Sequence, residues 1–159
     1  MNEGDWEKVS YIYKQGINSG LATFQTDCPS YKEWDTMHLK ECRFVAVLEE
    51  LVVGFVALSR TSMREVYKGV VEVSIYLDEA YQKNGIGTTL LNYICEYSEK
   101  IGYWSLYSAI ISDNIASIIL HKNCGFREIG YREKIAKDSN GIWKDTILME
   151  RRSQSIKHL

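Results

Sequence analysis

No apolar run in this chain approaches the roughly 18 to 20 residues that cross a bilayer, and Met1-Asn2-Glu3-Gly4-Asp5 lacks the basic and apolar regions of a signal peptide. These absences predict a cytoplasmic protein with no membrane partner. Cationic clusters are also scarce: none is longer than Arg151-Arg152, and the formal net charge is -2. The chain therefore has no basic field for nucleic acid. Its four cysteines, Cys28, Cys42, Cys95 and Cys124, contain no C-x-x-C pair, and no histidine stands with acids in a credible metal set. Zinc sites and redox dithiols are thereby disfavoured, no metal is expected, and the thiols are expected to be reduced and mostly buried. There is no internal repeat or low-complexity linker. A hydrophobic content of 45% over 159 residues suits one domain, spanning residues 1–152 with a frayed tail at 153–159.

What is present is a regular succession of helix and strand signals. Trp6, Val9, Ile12 and Tyr13 recur at helical spacing behind a cap at Asp5, and Gly16 is the expected stop. Ser30 and Glu33 are spaced as a capping box for a second helix that carries Trp34, Met37 and His38. Arg43 to Leu48 and Leu51 to Leu58 read as a hairpin, and Gly69 to Leu77 as a third strand. In that third strand Val71, Val73, Ile75 and Leu77 alternate with Glu72, Ser74 and Tyr76, so one face is apolar and the other carries the groups capable of chemistry. A helix over Gly85 to Ile101, a strand over Trp104 to Ile111 and a helix capped by Asp113 follow. Closing strands are expected at Phe126 to Glu133 and Lys144 to Met149, around a turn at Asp138 to Gly141.

Between the third strand and its following helix lies Tyr81-Gln82-Lys83-Asn84-Gly85-Ile86-Gly87-Thr88. Glycines there let the backbone approach a ligand, and the free N–H groups of a helix start make an anion site, which predicts a pyrophosphate. The dinucleotide fingerprint would need glycine where Leu90 stands, and the chain has no Gly-Lys-Ser/Thr tripeptide for a Walker loop. Q-x-x-G-x-G remains, formed by Gln82, Gly85 and Gly87.

That loop resembles the acyl-CoA pyrophosphate loop of the GNAT N-acetyltransferases. Together with Ala22-Thr23-Phe24-Gln25-Thr26, Glu72 to Leu77, Asn114-Ile115-Ala116-Ser117, Leu120 to Phe126 and Trp143-Lys144-Asp145, it is similar to the phosphinothricin and methionine sulfoximine N-acetyltransferases in particular. The resemblance implies an α/β fold with a strongly twisted, mixed, mostly antiparallel sheet flanked by helices and splayed between its central strands to admit acetyl-CoA. It also implies a homodimer. The family's usual first strand is missing ahead of the first helix, which leaves a sheet edge less covered.

Carried onto this chain, the resemblance assigns main-chain groups of Ile75, Tyr76 and Leu77 to the pantetheine arm. Gln82, Lys83, Asn84, Gly85, Ile86, Gly87 and Thr88 hold the pyrophosphate, and Asn114, with Ser117, lies at the pantetheine end. Glu72 is the expected general base, because an attacking amine must lose a proton and a strand carboxylate that is partly buried has a raised pKa. His121 matches a histidine beside that base, with proton relay, substrate orientation and charge stabilisation open as its roles. Arg60 or Arg64 is expected to meet a substrate carboxylate, with Phe24, Tyr67 and Ser74 in the acceptor pocket; Tyr131 is a weak candidate for protonating the leaving thiolate. The expected activity is transfer of acetyl to the α-amino group of a small amino acid or analogue. The alternatives are an acetyltransferase for a protein N-terminus or another amine, and an acyl-CoA sensor without turnover.

Overall fold

The structure is a computed structural model that describes residues 1–155. After one 3-10 turn at Glu3–Asp5, helix α1 runs Trp6–Ser19 and α2 runs Tyr31–Met37. Gly16 lies inside α1 and does not end it, since a Cβ at this position would come within 2.8 Å of the Tyr76 ring. Close approach explains that glycine, and the stop is Gly20, which takes a φ of 68°. Asp5 makes no side-chain cap to α1; its carboxylate accepts from the Asn2 N–H at 2.7 Å. The expected capping box opens α2, with Glu33 N–H donating to Ser30 Oγ at 3.3 Å and Ser30 N–H to Glu33 Oε2 at 2.8 Å.

The strands are β1 Arg43–Leu48, β2 Leu51–Arg60, β3 Val70–Leu77, β4 Ser105–Ile111, β5 Arg127–Lys137 and β6 Trp143–Arg152, interleaved with α3 Ile86–Lys100 and α4 Ile115–Asn123. They form one mixed sheet in the order β1-β2-β3-β4-β6-β5. Every neighbouring pair is antiparallel except β3 with β4. No strand precedes β1 among the described residues, and β1 is one edge of the sheet. The closing hairpin is longer than its sequence suggests. β5 is exposed along nearly its whole length, so no buried alternation marks where it ends. Asn114, not Asp113, caps α4; Asp113 instead pairs with Lys144 at 2.5 Å.

The two sheet faces bury separate cores. Val71, Val73, Leu91, Ile94, Leu106 and Met149 pack under α3 and α4, whereas Val9, Ile12, Trp34, Phe55 and Ala57 pack where α1 and α2 cover the other face. Alternation on β3 puts Glu72, Ser74 and Tyr76 on the α1–α2 face, as its sequence requires. The chain end is held further than expected: Ser153 is buried, its N–H donates to Trp104 O at 3.0 Å, and Ser155 Oγ donates to Glu99 Oε2 at 2.8 Å. Residues 156–159 of the expected frayed tail lie outside the described residues. Among the described residues no helix is long and apolar enough to cross a membrane.

Candidate active site

The β3–β4 ladder contains only three residue pairs, Val70 with Ser105, Val71 with Leu106 and Glu72 with Tyr107. Beyond Glu72 the two parallel strands diverge, so on its β4 side β3 has no ladder partner from Val73 to Leu77. A cavity of about 620 Å³ opens at this divergence, lined by Ser74, Ile75 and Tyr76 from β3 and by residues 108–111 of β4. Asn114, Ser117 and His121 close it from the α4 side, and the α1–α2 loop closes it from the other.

The glycine loop follows the C-terminal end of β3, outside the cavity lining. Gly85 takes a φ of 77° and Lys83 a φ of 65°, which turns the chain into α3 without a side-chain cap. The first helical bond there is Thr89 N–H to Gly85 O at 3.0 Å, so the N–H groups just ahead of it belong to the unpaired first turn. Together with the helix dipole, unpaired N–H groups of this kind favour an anion. The two glycines serve different ends. Nothing lies within 4 Å of a Cβ built on Gly85, whereas one on Gly87 would meet Leu77 at 3.0 Å and Leu120 at 3.3 Å. A side chain at Gly87 would crowd the packing of α3 on β3 and α4.

Glu72 occupies the last paired rung before the splay, half-buried on the cavity wall and opposite Ser59 of β2. Burial raises its pKa above the ordinary carboxylate value, and the positive charge of Arg132 opposes the rise without cancelling it. Its carboxylate makes no hydrogen bond or ion pair among the described residues, leaving both oxygens available to a ligand.

His121 is 1% exposed on α4. Its Nδ1 lies 2.7 Å from the Ser117 carbonyl oxygen, which only accepts, so Nδ1 carries the proton in the neutral ring and Nε2 presents a lone pair. That Nε2 is buried and has no partner among the described residues. Burial holds the imidazole pKa below its usual value, so the ring is neutral in the physiological range and acts as an acceptor. Phe126 fixes the ring edge-on, with centroids 4.9 Å apart. Ser117 thus orients His121. Asn114 spends its amide within the protein, its oxygen accepting from Ser117 N–H and its nitrogen donating to Leu21 O, both at 3.2 Å. It fastens the α1–α2 loop to the start of α4.

Of the residues expected at the site, Phe24, Glu72, Ser74, Ile75, Tyr76, Asn114, Ser117 and His121 share the one cavity. The Leu77 side chain packs into the core under α3. Arg60, Arg64 and Tyr67 are exposed and absent from the lining, with the Arg64 guanidinium 5.4 Å above the Tyr67 ring. Indeed the lining contains neither arginine nor lysine. Tyr131 is 59% exposed outside the cavity. It donates its hydroxyl to Asp145, and that hydrogen bond pushes its pKa up to about 12. Sequence reasoning missed Tyr13, Trp34, His38, Ser59 and Thr146 as cavity residues. Trp34 and His38 were legible as α2 residues, but only the packing of α2 on β2 turns that helix end toward Glu72.

The site therefore combines a carboxylate of raised pKa, a neutral imidazole acceptor and an unpaired helix start beside a strand splay, with no metal-binding cluster among the described residues. This is the equipment of an acyl-CoA-dependent acyltransferase. The model of the GNAT acetyltransferase family matches residues 6–126, and the chain belongs to that family: it is an N-acetyltransferase whose acetyl donor is acetyl-CoA. It is 30% identical over 152 residues to the L-methionine sulfoximine/L-methionine sulfone acetyltransferase of Pseudomonas aeruginosa, covering 92% of this chain and 88% of the relative. The crystal structure of a phosphinothricin acetyltransferase from Sinorhizobium meliloti in complex with acetyl-CoA superposes with a TM-score of 0.88 at 26% identity, covering 100% and 90% of the two chains. A ribosomal-protein-alanine N-acetyltransferase from Brucella melitensis gives 0.87 at 25% identity, covering 96% and 97%.

The helix start makes a quantitative expectation. Acetyl-CoA at about 100 times its Kd raises Tm by roughly 5 to 10 °C. Gly85→Val, which puts a β-branched residue at positive φ, removes most of that rise. A full rise in the variant would disconnect the loop from the donor.

Proposed function

We propose that this enzyme acetylates the α-amino group of a small amino acid or amino-acid analogue of the phosphinothricin, methionine sulfoximine or methionine sulfone type, by direct attack within a ternary complex. The observation that carries the reading is the placement of Glu72 and His121 on one cavity at the point where β3 leaves β4. Acetyl-CoA supplies the acetyl group already activated as a thioester. Glu72, directly or through one water, takes the proton that the amine must lose, and its raised pKa brings it closer to the pKa of that amine. An α-amino group with a pKa near 8 is roughly one-tenth neutral at pH 7, and an adjacent carboxylate lowers that fraction. His121 Nε2 accepts a hydrogen bond from the amine or from a bridging water and so orients the nucleophile. Backbone groups of Ile75 to Leu77, left without a β4 partner, are suited to the pantetheine arm and the thioester carbonyl. No covalent nucleophile is needed, because holding both reactants in one cavity removes much of the entropic barrier.

A second reading, acetylation of a protein N-terminal alanine, is favoured by the likeness to the Brucella enzyme. The test is thiol release from acetyl-CoA over a panel of amino acids, their decarboxylated amines and an alanine-initiated peptide. Free amino acids are expected to exceed the peptide by at least about tenfold in kcat/KM. Turnover with the peptide alone would select the second reading, and no turnover on any amine would favour a donor-binding sensor. We also read the enzyme as a cytoplasmic homodimer; the exposed Ile129, Ile135, Ile142 and Trp143 of the β5–β6 hairpin region offer apolar surface for a second copy.

A further inference from the structure

An acceptor amino acid brings a carboxylate, and the cavity lining brings no cation to meet it. The expected arginines are exposed, Arg60 as the last residue of β2 and Arg64 in the segment that follows it. The opposite wall offers another. Thr146 of β6 lines the cavity, and Arg132 of β5 is its direct cross-strand partner.

Register places these residues on the same side as the base. Glu72 pairs with Tyr107, Tyr107 with Glu150, Ile111 with Thr146 and Thr146 with Arg132. Tyr107 and Ile111 are an even number of residues apart, as are Thr146 and Glu150, so all six side chains project from one sheet face. Helix α1 packs on the β2 and β3 part of that face, while β5 stays open to solvent. From β3 to β5 there are three strand spacings, about 14 Å, and the Ile111–Thr146–Arg132 rung lies four residues further along β4 than the Glu72–Tyr107 rung, about 13 Å along the strand. The lengths of the Glu72 and Arg132 side chains shorten that separation, and the acceptor spans what remains. The guanidinium makes no hydrogen bond or ion pair among the described residues, yet its charge is felt by both Glu72 and Tyr107.

Thr146 supplies an independent observation. It is 3% exposed, and its Oγ1 is a buried polar atom without a partner among the described residues. Leaving a buried hydroxyl unpaired is unfavourable, so a hydroxyl that lines a cavity in this state is placed to bond what enters it.

Resting on the amino-acid reading above, we propose that Arg132 binds the carboxylate of the acceptor and that Thr146 Oγ1 hydrogen-bonds the same molecule. The β5–β6 wall then sets the preference for free amino acids over other amines. The amine lies toward Glu72 and His121 and the carboxylate toward β5, which fixes the direction in which the acceptor enters.

The test compares methionine sulfone with its decarboxylated amine at pH 8.5. R132M is expected to lower the acid-to-amine ratio of kcat/KM by about 10- to 100-fold, chiefly through KM for the acid, and R132K to retain part of the preference because it keeps the charge without the fork. T146V is expected to raise KM for the acid about fivefold or more, with T146S restoring it. An unchanged ratio in R132M, or an equal fall for acid and amine, would overturn the Arg132 assignment while the amino-acid reading stands. An unaltered KM in T146V would remove Thr146 in the same way. Wild-type enzyme that acetylates amines or peptides but not the acid would sink the amino-acid reading itself, and the Arg132 assignment with it. Arg132 is exposed, so its variants fold, and an unchanged Tm verifies that.

Discussion

Glu72→Gln is expected to lower kcat by roughly two to four orders of magnitude while leaving the thermal shift produced by acetyl-CoA in place. The amide keeps the shape and the polarity of the strand position but cannot take a proton. Because burial raises the Glu72 pKa, the wild-type rate falls as pH drops through a value above the ordinary carboxylate range. That acid limb is lost in the variant. Arg132 opposes the rise, so R132M moves the limb to higher pH. Steady-state kinetics with a saturating amino-acid acceptor from pH 5 to 9 measure both effects. Turnover in E72Q within threefold of wild type across this range would take Glu72 out of the mechanism.

His121→Phe is the second large effect, expected at about 10- to 100-fold in kcat. Phenylalanine fills the site and keeps the edge-on contact to Phe126, so the fold survives while the Nε2 acceptor disappears. A histidine with a purely structural role would show a lower Tm and an unchanged kcat. The same substitution carries a pH signature in stability. The folded protein holds His121 below its usual pKa, so the unfolded chain takes up a proton as pH falls through about 6.5. Stability associated with the neutral ring is therefore present above that pH and is lost below it. His38 is held low for the same reason, burial. Thermal denaturation between pH 7 and 5 should show a shallower decline in H121F than in wild type, with the His38 contribution remaining.

Local rules explain why so much of the fold could be read from the chain. The Ser30–Glu33 box, the β1–β2 hairpin and the period-two pattern of β3 depend on residues within a turn or a strand of one another, and each appears where its chemistry requires. The glycine loop was legible because strand, turn and helix start adjoin in sequence, although the crowding around Gly87 was not: its neighbours Leu77 and Leu120 meet only after α3 and α4 have docked. For the candidate site, Glu72 and His121 were found because the family resemblance and strand alternation marked them. Thr146 and Arg132 have no local signature. Thr146 reaches the cavity through the pairing of β4 with β6, and Arg132 stands beside it through the pairing of β6 with β5, a register that joins residues far apart in sequence. Arg60 and Arg64 attracted attention because they precede the Glu72 strand, but nearness along the chain did not bring them to the cavity. Partners set by long-range strand register are what a single sequence conceals here.

The central claim is that Glu72 receives the proton of an amino-acid acceptor held between β3 and β5. A crystal structure with CoA and methionine sulfone tests it most directly. The amine nitrogen is predicted within about 3 Å of the Glu72 carboxylate or joined to it by one water, with the acceptor carboxylate directed to Arg132. An amino acid bound away from Glu72, with no water path to it, would contradict the account.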